Sequence, residues 1–297
     1  MNKLFVVCGP TATGKTELAL NLAKKFSGVL VSADSRQVYR QMDIGTGKDK
    51  HKTGNILGYD LVSPRDEFSV AAYVKFARRA VRQIWRQKKL PILVGGTGFY
   101  IKGVVDGIGT SSVPRNLNLR KSLEKKSAEE LFEILSAEDP IKAASMNQSD
   151  RKNPRRLIRA IEVARKVLSI KYQVLSIKAD VLFVGLKADK KVLDERIEKR
   201  VQQRLSQGFE KEVKNLLKSG VRWEDQSMQS LGYRQYKDYF EGKVDKQIFV
   251  RKWESEEQKY AKRQMVWFKR NRRINWFDIS KRGWQKKVEK LVKKWHN

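Results

Sequence analysis

The residues best placed by type and spacing to do chemistry are 9–16, Gly9-Pro10-Thr11-Ala12-Thr13-Gly14-Lys15-Thr16. They follow the apolar run 4–8 directly and precede the helix-forming run 17–25. In that setting the spacing is a phosphate-binding loop: the glycines let the backbone wrap until successive amides and the helix N-terminus point at a di- or triphosphate. Lys15 adds a point charge, and the Thr16 hydroxyl can hold Mg2+. Such a loop reports that phosphate binds, not what carries it. An ATP-using kinase or ATPase is the default, and it expects a carboxylate closing a second apolar strand to help hold the metal. Residues 92–94 run instead into Gly95-Gly96-Thr97-Gly98, which carries none. Asp34 does close the run 29–32, where it could serve a metal, act as a base or cap a turn. Thr97 could face reacting groups or cap the following helix. Arg196, Arg200 and Arg204, one every fourth position, suit a phosphate clamp or a solvated helix face with Glu195 and Glu198 as partners.

Elements of two periods must position these groups. Over the first hundred residues apolar runs at 4–8, 29–32 and 92–94 alternate with helical segments, which predicts a parallel sheet covered by helices. Val70, Val74, Ala77, Val81 and Ile84 recur at spacings of three and four, giving one apolar face to a basic helix that ends near Lys89. From 110 to 152 the segments are polar and helix-forming, with no strand run. The α/β pattern returns with a helix at 154–167 and a strand at 181–186, followed by basic helices at 193–205 and 248–270. The expected fold class is α/β: a P-loop NTPase-like parallel sheet flanked by helices, with a helical insertion domain. The core then comprises 1–111 and 153–297, and the insertion 112–152.

The charge narrows the partner. With 64 Lys+Arg against 33 Asp+Glu the chain carries +31 over 297 residues, which calls for a polyanion, nucleic acid first. Residues 259–273 hold seven basic and no acidic side chains among Tyr260, Trp267 and Phe268, and Arg155, Arg156 and Arg159 form a second cluster. The aromatics suit core packing better than base stacking, because a long helix must bury one face. A single cysteine, Cys8, excludes an intrachain disulfide and reads as a buried core residue, and two histidines cannot build an ordinary zinc cluster. No run approaches the 18 apolar residues of a membrane span, so a cytoplasmic protein without membrane contact is expected.

Eight blocks, in order and spanning about 260 residues, resemble the tRNA dimethylallyltransferase family, also called isopentenyl-diphosphate:tRNA transferases. They are GPTATGKT (9–16), SADSRQVY (32–39), MDIGT (42–46), LVGGTGFY (93–100), RRLIRAIE (155–162), RIEKR (196–200), GYRQ (232–235) and YAKRQMVWF (260–268). The resemblance implies that the loop grips the diphosphate of dimethylallyl diphosphate and that ATP is not a substrate. The acceptor would be the N6 amine of the adenosine beside the anticodon in tRNA. It assigns Asp34, Thr97 and Arg200 to catalysis, with Asp34 the base. Diphosphate binding falls to Gly9, Thr11, Ala12, Thr13, Gly14, Lys15 and Thr16, and Mg2+ to Thr16. Asp34, Ser35, Arg36, Gln37, Arg120, Arg155, Arg156, Arg159, Gly232, Tyr233, Arg234, Lys262 and Arg263 would contact tRNA. The chain is expected to be a monomer with no stable protein partner. Residues 165–170 lack the glycine usual there in the family, which leaves the local geometry open. Adenylate isopentenyltransferases, which prenylate free AMP, ADP or ATP, are one alternative, and a small-molecule kinase is another. The helical insertion and basic C-terminal helices argue against the first, the Gly95–Gly98 turn against the second.

Overall fold

The structure is a computed structural model that describes residues 1–48, 56–167 and 176–297. The chain divides into two compact units, Met1–Val105 with Ile177–Asn297, and Asp106–Ser176.

In the first unit five parallel strands, β1 (Lys3–Cys8), β2 (Gly28–Ser32), β3 (Leu90–Gly95), β4 (Asp180–Lys187) and β5 (Ile274–Asp278), form one sheet in the order β2-β3-β1-β4-β5. Alternate residues of β1 feed opposite cores, as a strand period of two requires. Leu4, Val6 and Cys8 pack with Tyr73, Ala77, Val81 and Ile84 of α2 (Val70–Arg86) and with Ile101 and Val104 of α3 (Gly98–Val105). Phe5 and Val7 pack with Leu18 and Leu22 of α1 (Lys15–Lys25). α2 keeps the predicted apolar face, with Ser69 as its N-cap, but it stops at Arg86, since Leu90 and Pro91 already belong to β3. β5 has no counterpart in the sequence reading: it is a short run, only Ile274 of which is buried.

Four later helices of this unit carry a third core. In α9 (Lys190–Ser206), α10 (Phe209–Lys218), α11 (Tyr233–Phe240) and α12 (Lys246–Lys269), the side chains Ile197, Val201, Phe209, Tyr233, Tyr236, Phe249 and Trp253 meet around Val38, Tyr39 and Met42. Phe209 contacts four aromatic rings, with centroids between 4.5 and 6.5 Å away. A final helix, α13 (Trp284–His296), covers the α1 face of the sheet through Val288 and Val292.

The second unit has a helical core of its own. It holds α4 (Leu117–Leu123), α5 (Ala128–Glu138, opened by the Ser127–Glu130 capping box), α6 (Pro140–Ser145), α7 (Gln148–Arg151) and α8 (Pro154–Val167). Leu157, Ile158 and Ile161 of α8 pack on Leu131 and Leu135. The unit therefore extends past the expected limit at residue 152 and takes in α8. The final part of the segment missing the family glycine, 168–170, lies outside the described residues.

Candidate active site

Strand register brings the chemistry to one level. Ser32 pairs with Val94, and Cys8 pairs with Gly95. The chain therefore leaves β2, β3 and β1 in one row at their carboxyl ends, where an open α/β sheet places its site. Ala33, Gly96 and Gly9 are the first residues beyond these strands, and Asp34 follows Ala33. β3 lies between the strands of Asp34 and of the phosphate loop, so the Gly95–Gly98 turn sits between the two.

The phosphate loop is already folded as a nest. Gly9 has φ +133° and faces the Leu186 carbonyl so closely that an added Cβ would lie 2.3 Å from it. Gly14, at φ +79°, turns the chain into α1, whose first amides face the loop. The Thr13 hydroxyl and the Lys15 ammonium donate to the Pro10 carbonyl at 2.8 and 2.6 Å. Burial, reinforced by nearby Arg200, pulls the Lys15 pKa down to about 8, against the opposing pull of Asp34. Cys8, behind the loop, is buried, and its thiol is pushed up to about 12.

Each glycine of the central turn is needed for a close approach. A Cβ on Gly95 would lie 2.2 Å from the Ala33 carbonyl, one on Gly96 2.1 Å from Gln264, and one on Gly98 2.0 Å from Trp267. The Thr97 amide donates to the Ala33 carbonyl. Its Oγ1 accepts from the Ser35 amide at 3.0 Å, which ties the β3 turn to the β2 turn, while its carbonyl accepts from the Tyr100 and Ile101 amides at the start of α3. Tyr260 lines the same cleft, and burial raises its pKa. Asp34 is half-buried; its Oδ1 accepts from the Arg36 amide at 2.8 Å, an Asx turn, and its carboxylate lines the cleft.

A carboxylate on α12 organises the arginines of α9. Glu257, 4% exposed, accepts from Arg200 at 2.9 Å and from Arg204 at 3.0 Å. Its burial would raise the carboxyl pKa, but the two guanidiniums outweigh that and lower it. Arg200 is pulled down to about 10 by burial despite Glu257, and its buried Nε has no hydrogen-bond partner. Arg204 is buried behind it, and Arg196 reaches the Ala12 carbonyl at 3.3 Å.

The wall opposite is residues 42–48. Glu212 accepts from the amides of Asp43, Ile44 and Gly45 at 2.7 to 3.0 Å and from the Tyr233 hydroxyl at 2.5 Å. The buried Lys48 ammonium donates to the Tyr39 carbonyl and to Asp43 and Asp60. Gln37 donates to the carbonyls of Thr46 and Gly47 and accepts from Ser32. These elements enclose a cleft of about 1500 Å³, lined by Lys15, Thr16, Asp34, Arg200, Tyr260 and Gln264 among others.

The expected contact residues divide three ways. Ser35, Arg36, Gln37, Arg234 and Arg263 line the cleft, with Arg263 over the Tyr260 ring, and Lys262 is exposed on the same helix. Arg120, Arg155, Arg156 and Arg159 belong to the second unit. There Arg155 is exposed and Arg156 pairs with Asp150, while Arg120 and Arg159 both grip Glu162. Two expectations need correction. Tyr233 is fully buried with its hydroxyl on Glu212, and Gly232, at φ +86°, lies against Trp253. Both shape the cleft wall and neither can face RNA. Sequence reasoning missed Glu212, Glu257, Gln264 and Lys48. Each is a polar residue in a helix or turn, which a single sequence does not separate from a solvated position.

Among the described residues no three His, Cys, Asp or Glu side chains cluster as a metal-binding group. Thr16 and Asp34 line the same cleft, and their oxygens could hold Mg2+ together with phosphate oxygens and water. No described helix is long and apolar enough to cross a membrane.

Comparison with known proteins matches the IPP transferase family over residues 37–271 and the isopentenyl transferase family over residues 2–55. The tRNA dimethylallyltransferase of Anoxybacillus flavithermus is 36% identical over 286 residues, covering 94% of this chain and 91% of that one. That of Bacillus mycoides is 37% identical over 290 residues, covering 94% and 90%. The crystal structure of the full-length tRNA isopentenylpyrophosphate transferase from Bacillus halodurans is similar over 100% of this chain and 95% of that one, with TM-score 0.72 and 32% identity. A eukaryotic dimethylallyltransferase described as acting on tRNA shares the fold at TM-score 0.84 and 23% identity, over 98% and 78%.

Proposed function

The chain belongs to the IPP transferase family of tRNA dimethylallyltransferases, and on that premise we propose the following reaction. It transfers a dimethylallyl group from dimethylallyl diphosphate to N6 of an adenosine beside the anticodon of tRNA, releasing diphosphate. The observation that carries this reading is one cleft lined by a phosphate nest, the Asp34 carboxylate and Arg200.

The adenine amine is a weak nucleophile, because its lone pair is delocalised into the ring. As N6 bonds to C1 of the dimethylallyl group, the C1–O bond breaks, its electron pair leaves with the diphosphate, and the N6 proton passes to the Asp34 carboxylate. Oδ1 is already fixed by the Arg36 amide, which holds the carboxylate against rotation. Lys15, the loop amides and Arg200 neutralise the charge growing on the leaving group. Mg2+, held at Thr16 and the phosphate oxygens, would add Lewis-acid stabilisation of the same charge. Thr97 holds the Ser35 amide and so fixes the segment after Asp34 against which the base would lie.

The acceptor must be extruded from its loop, which is cheap for a single-stranded base. A cleft of about 1500 Å³ exceeds what a mononucleotide and a five-carbon diphosphate fill. With the +31 charge this favours RNA over free AMP as the acceptor. Incubating the protein with dimethylallyl diphosphate, Mg2+ and either unmodified tRNA or AMP, then weighing the nucleosides, tests the choice. Prenylated adenosine from tRNA alone is expected; product from AMP alone would overturn the proposal.

A further inference from the structure

Beyond the last strand pair, Cys8 with Gly95, no backbone hydrogen bond among the described residues joins the phosphate loop to the Gly-Gly-Thr turn. The join is made by one side chain from α12. Gln264, 6% exposed, accepts from the Thr11 amide through Oε1 at 2.8 Å and donates through Nε2 to the Gly96 carbonyl at 2.9 Å. The absence of a Cβ at Gly96 makes room for that amide, since one there would lie 2.1 Å from Nε2. Gln264 also belongs to a stripe. Glu257, Tyr260, Gln264 and Trp267 recur at spacings of three, four and three, hence on one face of α12. Glu257 meets Arg200 and Arg204, Tyr260 lines the cleft, Gln264 meets the two turns and Trp267 lies against Gly98. One helix thus reaches the arginines of α9, the phosphate loop and the Gly-Gly-Thr turn.

Resting on the function proposed above, we infer that Gln264 is a positioning residue for the transfer. Its amide sets the separation between the turn that would hold the diphosphate and the turn that carries Thr97, and thereby the gap across which donor and acceptor meet. The consequence for catalysis is geometric: the leaving group is registered by the loop and the base by the Ser35–Thr97 bond, and Gln264 is the strut between them. A shift of about 1 Å in such a gap is worth about 10²-fold in rate.

Gln264→Met keeps length and apolar bulk but removes both hydrogen bonds. In the full-length protein, kcat at saturating donor and tRNA should fall about 10- to 100-fold, while tRNA affinity and melting temperature stay close to wild type. Independently of activity, hydrogen exchange should quicken in the peptides carrying Thr11 and Thr97 and not in those of β2 or α2. Gln264→Glu keeps the acceptor for Thr11 but sets an oxygen against the Gly96 carbonyl, so only the Thr97 peptide should loosen. Unchanged exchange in both variants, or a kcat within threefold of wild type in Gln264→Met, would overturn the inference. A rate loss that follows the melting temperature would do the same. Wild-type protein that modifies no tRNA would instead overturn the proposed function, and the exchange data would still decide whether Gln264 couples the turns.

Discussion

Each unit of the molecule contains a buried glutamate held between two arginines, and the two clamps differ in one respect. In the second unit Glu162 accepts from Arg120 through both oxygens, from Arg159 and from the Asn116 amide, and Arg159 donates also to the carbonyls of Thr110 and Val113. Burial alone would raise that carboxyl, but the donors outweigh it and hold it at about 2. In the first unit Glu257 accepts from Arg200 and Arg204, and Arg200 also lines the cleft beside the phosphate nest. The first clamp is saturated and holds helices together. The second keeps positive charge in reserve at the edge of a phosphate nest. A buried ion pair is by itself weak evidence of stability, and what distinguishes these two is that one of them borders the cleft.

That contrast can be broken at four points. The largest effect is expected at the base beside the open clamp: Asp34→Asn should lower single-turnover prenyl transfer about 10²- to 10⁴-fold while tRNA still binds, and full activity would remove Asp34 from the chemistry. Arg200→Ala should lower the same rate about 10²- to 10³-fold, with most of the loss in kcat, because the guanidinium meets charge that grows during reaction. A loss confined to tRNA affinity would instead make Arg200 a docking residue. At the saturated clamp, Glu162→Gln should destabilise the second unit by about 2 kcal/mol, read from hydrogen exchange across α5 and α8, and leave single-turnover rates at saturating tRNA unaltered. The sign with pH follows from the depressed carboxyl: in wild type this stabilisation is present above the ordinary value of 4.5 and is lost as pH falls toward about 2. The variant should lack that dependence. The smallest effect concerns Lys15, whose pKa is drawn down to about 8. The free protein loses that charge as pH rises through this value, so donor kcat/KM should fall roughly tenfold per pH unit above it, and a flat profile to pH 9.5 would show the ammonium stays charged.

The fold was legible where one physical signal dominates. Apolar runs marked β1 to β4, and the spacing of Val70 to Ile84 marked α2, because strand and helix periods differ and each core face is uninterrupted. β5 escaped because a short edge strand buries little. The end of the insertion is not legible because α8 is amphipathic, and its apolar face does not disclose which core it joins. At the site, the loop glycines were legible from spacing, whereas Gly95, Gly96 and Gly98 acquire their meaning only from Ala33, Gln264 and Trp267, partners up to about 170 residues away in the chain. Tyr233 misled for the converse reason: the block containing it reads as functional, but its ring belongs to the aromatic core, and its hydroxyl supports Glu212.

The most direct test follows phosphorus and nucleoside together in one vessel containing the protein, dimethylallyl diphosphate, unmodified tRNA, Mg2+ and ATP. One diphosphate released for each prenylated adenosine, with ATP untouched, is the predicted result. Consumption of ATP with phosphate transfer, and no prenyl group on the RNA, would contradict the assignment of the nest to a prenyl diphosphate.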